Sequence, residues 1–227
     1  MTGPLVLVVA DRTDLGGRAV ALDGPAARLA GARPLVVTPL DLARARWVHR
    51  VDARGRATTC LGLDGREPLR DGDLAAVWWR ALTPLEPAGS AAADPRDHLY
   101  AVSELTALVT SWLLSLGPRV VNRPSGADPS GPAWPLHQWA AVARRHGVGR
   151  TLPGERRRLV VLGESVIGAV DGEEREAALG VAAEAGCRSL GLTLDGRGRV
   201  VGSSTAPRLA GREELRAAAR LLAEVAA

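Results

Sequence analysis

Hydrophobic and polar residues follow two kinds of pattern over the first 150 residues. Short runs rich in valine and leucine predict the buried strands of an open, mainly parallel α/β sheet. These runs lie at residues 5–10, 34–38, 74–80 and 119–122. Segments of helical periodicity lie at about 15–31, from a cap at Asp94 or Asp97 to 116, and at 134–146. Alternating segments at 47–52 and 57–63 predict a hairpin.

The last third of the chain has a different pattern. Two pairs of strand-like segments predict hairpins, at 159–162 with 166–170 and at 188–194 with 199–203. Each pair is followed by a helical segment, at 173–185 and 213–226. We therefore predict an α/β domain at 1–150 and a small α+β section at 151–227, joined by a linker at 150–154.

Charge adds one unusual feature. The 227 residues carry a net charge of +4, and all 29 basic side chains counted as lysine or arginine are arginines. The arginines are scattered among acids, and the only dense run is at 156–158. A nucleic-acid surface would cluster them on one face or helix, so we predict no nucleic-acid partner.

Targeting and redox features are ordinary. No apolar segment approaches the roughly 20 residues of a membrane span, and the start has no basic leader, so we expect a cytoplasmic protein without membrane contact. Cys60 and Cys187 are far apart in sequence and have no metal-ligand spacing. Two free thiols are the main interpretation, and a disulfide is the alternative.

Several short motifs in the first part resemble those of ATP-grasp ligases that tailor ribosomal peptides, the graspetide or microviridin-type group. The strand at 76–80 (AVWWR) resembles the family's apolar-Trp-Arg strand, and a helix carrying Glu104 follows it. The segment 120–124 (VVNRP) resembles the family's "vNrP" strand end. Then come 145–148 (RHGV) and 151–153 (TLP). The resemblance implies a pre-ATP-grasp domain at the beginning of the chain.

After residue 153 the sequence departs from that pattern. A full ligase would continue into a subdomain that grips ATP, but here 159–170 already resembles the family's later strands. Residues 191–194 (GLTL) stand where "GlDl" is typical, and 200–207 (VVGSSTAP) where "vvflEvNP" is typical. On that match three ligand or acidic positions are occupied by Thr193, Ser204 and Ala206. The resemblance therefore implies a shortened relative that lacks the central ATP-binding subdomain.

The chemistry of ATP explains why these departures matter. Phosphoryl transfer needs divalent metal held by carboxylates and cations that neutralise the developing charge. Ser204 and Ala206 cannot hold magnesium as Glu and Asn do, and there is no lysine. Arginine can bind phosphate, so the missing lysine would not decide the matter alone. Together these losses predict a protein without a nucleotide cofactor or resident metal.

Candidate site residues follow from the expected sheet. Ligands of open α/β sheets lie beyond the carboxyl ends of the strands. The candidate substrate-binding residues are Asp11, Thr13, Trp79, Asn122, Arg123 and Trp134. The candidate catalytic residues are Arg80, Glu104 and His137. Several have structural alternatives: Asp11 could cap a turn, and a buried Arg80 needs a partner, for which Glu104 is the candidate.

Two functional hypotheses remain open at this point. The first is a degenerate ATP-grasp-like protein of a peptide or natural-product tailoring pathway. It would bind a peptide, a small molecule or a full-length partner ligase, without ATP-dependent ligation. The alternative is an ATP-independent enzyme with repurposed chemistry in the retained cleft. A dimerising scaffold is a third option, because the last two helices have alanine-rich faces.

Overall fold

A computed structural model describes residues 4–22, 31–126, 128–150, 154–168 and 170–227. The end of the predicted first helix, at 23–30, lies outside these residues, as do 151–153 of the predicted linker. In chain order the strands are β1 (Leu5–Val9), β2 (Arg33–Val37), β3 (Arg46–Val51), β4 (Ala57–Gly62), β5 (Leu69–Arg70), β6 (Leu74–Trp79), β7 (Val120–Val121), β8 (Arg157–Leu162), β9 (Ser165–Ile167), β10 (Ser189–Leu194) and β11 (Val200–Ser204). The helices are α1 (Leu15–Leu22), α2 (Pro39–Arg44), α3 (Pro95–Ser115), α4 (Leu136–His146), α5 (Gly172–Glu184) and α6 (Arg212–Ala226).

The first part is built on a parallel sheet with the strand order β2-β1-β6-β7. Every residue of β1 is buried, as expected for a central parallel strand covered on both faces. Because side chains alternate along a strand, Leu7 and Val9 enter a core with α3 and Trp112, whereas Val8 enters a second core on the opposite face. The predicted open parallel α/β sheet is confirmed.

The second part contains an antiparallel sheet with the order β11-β10-β8-β9. Helix α6 packs against both this sheet and the parallel sheet, so that Val8, Trp78, Leu162 and Leu222 share one core. The alanine-rich faces of α5 and α6 are buried in these cores, which removes the feature that suggested a dimerising scaffold. The predicted small α+β section is confirmed.

Two hairpins have five-residue turns that differ in sequence at one position only. Residues 52–56 (DARGR) join β3 to β4, and residues 195–199 (DGRGR) join β10 to β11. In each turn the aspartate carboxylate accepts hydrogen bonds from the main-chain N–H of the third and fifth residues and from the Nε of the fifth. The fourth residue is a glycine with φ near 75°, as hairpins with a left-handed position require.

These turns perturb their carboxylates in the same direction. The pKa of Asp52 is lowered by the hydrogen bond from the Arg56 main chain and then by the Arg56 side chain. The pKa of Asp195 is lowered by the Arg199 side chain first and by its main chain second. The turns were predicted as hairpin connections, and this hydrogen bonding explains why they form.

Several boundaries differ from the sequence prediction for local reasons. Helix α2 was not predicted, although Thr38 and Asp41 form a capping box at its start. Helix α4 begins at Leu136, after Pro135, and ends at His146, where Gly147 caps it in the left-handed conformation. Strand β7 ends at Val121 because Asn122 adopts a left-handed backbone with φ of 57°. Within the described residues, no helix combines the length and apolar character needed to cross a membrane.

Candidate functional site

The carboxyl ends of β1 and β6 border a cavity of about 630 Å³, which we call the strand-end cleft. Its walls come from the turn after β1, the start of α1, the loop after β6 and the segment after β11. The residues that bear on its chemistry are Asp11, Thr13, Asp14, Arg80, Ser204 and Ala206. The structure thus brings Asp11, Thr13 and Arg80 to one edge of the sheet, where the sequence pattern put them.

Arg80 is the most deeply buried charged group of this cleft. Only 2% of its surface is exposed, and its guanidinium lies over the Trp78 ring, 4.5 Å from the ring centroid. Its Nε donates to Asp14 at 2.7 Å, and its Nη2 donates to Asp14 and to the carbonyl oxygen of Pro207. The Nη1 atom is buried without a partner among the described residues. The pairing proposed with Glu104 is therefore wrong, and Asp14 is the partner.

The start of α1 is shaped by this ion pair. Asp14 also accepts a hydrogen bond from the Gly17 main chain at 3.0 Å and so caps the helix. A side chain at position 17 would collide with Arg80 and Asp14, and one at Gly16 would collide with Leu209. The sequence Asp-Leu-Gly-Gly is compatible with a helix cap at Asp14. Nothing in it indicates that Asp14 also pairs with Arg80, 66 residues further along the chain.

Asp11 fixes the loop after β6 to the turn after β1. Its carboxylate accepts a hydrogen bond from the Leu82 main chain at 2.8 Å and another from the Thr83 hydroxyl. Leu82 and Leu15, which both line the cleft, are 73% and 76% exposed. Neither leucine was predicted as a site residue, because single leucines beside a turn form no recognisable pattern. Such exposed aliphatic side chains on the rim of a cavity are typical of a binding surface.

The remaining wall comes from the end of β11 and the segment that follows it. Ser204 uses its hydroxyl to accept a hydrogen bond from the Ala206 main chain at 3.2 Å, and the exposed Arg208 adds a positive charge. Neither Ser204 nor Ala206 offers a carboxylate, and the two cleft aspartates already accept the hydrogen bonds described above. Across the described parts of the chain, no three His, Cys, Asp or Glu side chains converge as a metal site would require.

Asn122 lies at the junction of the two parts instead of in the cleft. Its Nδ2 donates to the carbonyl oxygens of Ser130, Ser189 and Thr205, at 2.8 to 3.1 Å. Its Oδ1 accepts from the main-chain N–H groups of Arg188 and Ser189. The side chain is fully buried, and each polar atom is already hydrogen-bonded. In this arrangement the Asn122 amide has no free polar atom for a ligand, and its substrate-binding role stays a prediction.

The other candidate residues do not line the strand-end cleft. Glu104 and His137 are exposed on α3 and α4, so the three residues proposed as catalytic do not converge on one site. Trp134 stacks near Trp139, with ring centroids 4.8 Å apart, and belongs to the edge of a core cluster. Arg123 is exposed and pairs with no other described side chain.

Trp79 is buried in the core and donates its indole N–H to the Ala81 carbonyl oxygen at 3.1 Å. It borders a smaller cavity of about 430 Å³, which also contains Leu82. Trp79 and Leu82 thus line the same smaller cavity, and the predicted contact of Trp79 with a substrate would be made there.

Two arginines of the run at 156–158 form ion pairs with buried glutamates. Arg157 and Arg158 lie on opposite faces of β8 because neighbouring strand residues alternate. Arg157 pairs with Glu174 of α5, whose side chain is fully buried, and Arg158 pairs with Glu214 of α6. Arg157 and Arg158 thus fasten a helix to each face of the sheet, and the absence of a nucleic-acid partner stays a prediction.

Both thiols are free. Burial raises the pKa of Cys187 to about 12. Cys60 is half-buried in β4. Neither thiol lines the strand-end cleft, so they take no part in the candidate site.

Comparison with known proteins places this geometry in a structural context. No family model matches the sequence, and no curated protein matches it. The macrocyclase MdnC from Microcystis aeruginosa MRC, solved with precursor peptide MdnA, superposes with a TM-score of 0.70 at 11% identity, over 97% of this chain and 99% of that chain. A RiPP-associated ATP-grasp ligase of Chryseobacterium gregarium, solved with ADP and a leader and core peptide, gives 0.68 at 9% identity, over 97% of each chain.

The ATP-grasp ligase PsnB with a minimal precursor gives a TM-score of 0.63 at 17% identity, over 91% of both chains. At these identities the likeness establishes the fold alone. The chain has an ATP-grasp ligase-like fold, as the resemblance of its motifs predicted.

Proposed function

We propose that the strand-end cleft binds a peptide in a peptide-tailoring pathway and that the chain does not carry out ATP-dependent ligation. The fold supports the first half, because the structurally similar MdnC, PsnB and Chryseobacterium gregarium ligases were all solved with peptides bound. In this proposal the ligand is a precursor peptide, or a segment presented by a full-length partner ligase.

The observation that carries the proposal is the surface of the cleft itself. Exposed Leu15 and Leu82 both line a cavity of about 630 Å³, together with the buried Arg80 and the exposed Arg208. These aliphatic side chains suit an apolar peptide side chain, and the spare Nη1 of Arg80 suits a carbonyl or carboxylate acceptor after a small rearrangement. A peptide offers both groups on one short segment.

The second half of the proposal rests on what the chain offers to ATP. Magnesium is held by oxygen ligands, chiefly carboxylates, and the wall after β11 offers Ser204 and Ala206. The connection from α4 to β8 contains only residues 147–156, which is too short for a subdomain that grips phosphates. We therefore retain the division into a pre-ATP-grasp-like part at 1–150 and a shortened ATP-grasp-like part at 151–227.

Random peptides displayed on phage provide the test of peptide binding. Selection on the wild-type protein, with counter-selection on the double variant Leu15→Ser/Leu82→Ser, isolates peptides that depend on the cleft. Fluorescence polarisation with the synthetic peptides should then show a loss of affinity of about tenfold or more in the double variant. The matched control is Leu99→Ser, because Leu99 is 64% exposed on α3 but does not line the cleft.

Isothermal titration with MgATP tests the other half. We expect no heat of binding to the wild-type protein. Saturable binding of MgATP would overturn the claim that ligation has been lost. Failure to isolate any cleft-dependent peptide would overturn the peptide assignment while leaving the nucleotide result intact.

A further inference from the structure

The three-stranded sheet β3-β4-β5 has one face packed on the protein and one face exposed. On the packed face, Leu61 is buried in the core of the first part and Trp47 packs against it. His49 lies on the same face and bridges the hydroxyls of Thr59 and of Ser111 in α3, each at 2.9 Å. Because side chains alternate along a strand, the residues between these point away from α3.

The exposed face carries a cluster of arginines, and we call it the arginine face. It consists of the side chains that the strand register places together on this side: Arg46, Val48, Arg50, Thr58, Cys60 and Arg70. All three arginines are exposed, and they form no ion pair with a described carboxylate. None of the six residues is an acid, so the face carries three positive charges.

The acids that adjoin the arginine face are engaged elsewhere. Asp52, at the hairpin turn, pairs with Arg56 at 2.9 Å. Asp73 accepts a hydrogen bond from the Arg70 main chain at 2.7 Å and forms no ion pair with its guanidinium. The loop at 63–68 contains two acids and one arginine. Arg46 and Arg50 of β3 are therefore positive charges without a counter-charge among the described side chains.

Strand β3 also has an open edge. It is the outermost strand in the order β3-β4-β5, and no main-chain hydrogen bond from another described segment reaches residues 47–51. In an antiparallel pair, alternate residues direct their N–H and C=O groups away from the neighbouring strand. Val48 and Val51 are 49% and 56% exposed along this strand. Such an edge can accept a further strand.

The arginines determine which strand suits this edge. If a second copy of β3 paired antiparallel about Val48, each Arg46 would lie opposite the Arg50 of the other copy, and like charges directly opposite are unfavourable. Arg46 and Arg50 are four residues apart, roughly 13 Å in an extended chain. An added strand has the same repeat, so acids at its positions i and i+4 would lie opposite both arginines, with position i+2 opposite Val48. A nucleic-acid backbone has charge but no amide groups at this repeat.

We propose that the edge of β3 is a docking site for an extended acidic peptide segment of a partner protein. The segment adds as a fourth strand, its acids pair with Arg46 and Arg50, and an aliphatic residue between them packs on Val48. This site shares no residue with the strand-end cleft. The proposal goes beyond peptide binding in that cleft and does not depend on it.

Fluorescence polarisation with three labelled peptides tests this proposal. The first has glutamates at positions i and i+4, valine at i+2 and threonines elsewhere. The second has lysines in place of the glutamates, and the third has its second glutamate at i+3, which puts it on the other face of the strand. We expect saturable binding of the first, binding about fivefold weaker or more for the third, and none for the second. Added salt should weaken the binding.

Charge reversal separates recognition from folding. The double variant Arg46→Glu/Arg50→Glu should bind the acidic peptide about tenfold more weakly or worse, and it should gain binding of the lysine peptide. That gain requires a folded sheet, so it excludes simple unfolding as the cause. The matched control is Arg96→Glu/Arg216→Glu, which changes the net charge equally at two exposed positions outside the arginine face and should bind like the wild-type protein.

Two measurements distinguish an added strand from loose association of charges. Hydrogen exchange of residues 46–51 should slow when the acidic peptide is bound. N-methylation of the peptide at one set of alternate residues should abolish binding, because those N–H groups face β3, whereas methylation of the other set should be tolerated.

Each contrary outcome overturns the proposal. These outcomes are no binding of the acidic peptide, equal binding of the lysine or displaced-glutamate peptide, equal loss in the control variant, and tolerance of N-methylation at both sets. Binding of a single-stranded DNA oligomer that depends on Arg46 and Arg50, without binding of the acidic peptide, would identify the face as a nucleic-acid surface instead.

Discussion

The junction at Asn122 yields the sharpest prediction of stability. Asn122→Ala removes the amide that joins the segments at residues 130, 189 and 205, and it leaves two main-chain N–H groups and three carbonyl oxygens without that partner. The amide supplies two hydrogens and accepts two, so the lost hydrogen bonds amount to about 4 kcal/mol at about 1 kcal/mol each.

The backbone adds a second contribution to this loss. Asn122 has a φ of 57°, a left-handed conformation that asparagine tolerates better than alanine, at a difference of about 1 kcal/mol. We therefore expect Asn122→Ala to lower the free energy of unfolding by about 5 kcal/mol, a large fraction of the 5–15 kcal/mol that is typical of folded proteins, where about 1 is usual for a substitution.

Urea unfolding followed by tryptophan fluorescence and far-UV circular dichroism measures this loss. Asn122→Gly serves as a paired variant: it loses the same hydrogen bonds but keeps the left-handed backbone, so it should be about 1 kcal/mol more stable than Asn122→Ala. Ser125→Ala, at an exposed position in the following loop, should change stability by less than about 0.5 kcal/mol. A loss below about 1 kcal/mol in Asn122→Ala would refute the role of the junction.

Three further predictions follow from the same structure. Arg80→Leu should lower the free energy of unfolding by about 3 kcal/mol because it leaves the Asp14 carboxylate without its cation. In thermal unfolding, the double variant with Asp14→Leu should recover part of that loss. If the losses of stability in the two single variants simply add in the double variant, the pairing is contradicted. At pH 8 a thiol reagent should label Cys60 long before Cys187, whose raised pKa of about 12 keeps it protonated, and Cys60→Ser should remove the fast phase. The two hairpin-turn aspartates have lowered pKa values, so the stability they contribute is fully present above the ordinary value of 3.8 and is lost as the pH falls through the lowered values. Replacing both with asparagine should flatten the decline of the thermal midpoint below that pH, and an unchanged slope would count against their role.

The parallel sheet was predictable from sequence because its strands are continuous apolar runs. The run at 5–10 and the Trp-Trp strand ending at Arg80 required no tertiary information. The observed strand ends differ from the predicted ones where contacts with distant parts of the chain determine them. Asn122 ends β7 because its side chain is needed 67 and 83 residues further along the chain, at positions 189 and 205.

The candidate site was only partly predictable, for a related reason. Strand ends converge by topology, so Asp11, Thr13 and Arg80 could be placed together. The partner of a buried arginine depends on which acid the packing brings near, and composition favours neither Glu104 nor Asp14. Leu15 and Leu82 can be recognised as candidate binding residues only from the structure, because only the structure shows that both are exposed and line the cleft.

The five-residue turns at 52–56 and 195–199 are built alike, yet they are not interchangeable. They differ only at the second position, where Ala53 faces open solvent and Gly196 faces the carbonyl oxygen of Gly154. The sequence DGRGR could replace DARGR in the first hairpin, whereas the reverse exchange would drive a methyl group into that carbonyl. Gly154 also donates its N–H to the Gly196 carbonyl oxygen at 3.1 Å. The turn at 52–56 therefore only reverses the chain direction. The turn at 195–199 reverses it too, and it also binds Gly154, at the end of the segment that connects the two parts of the protein.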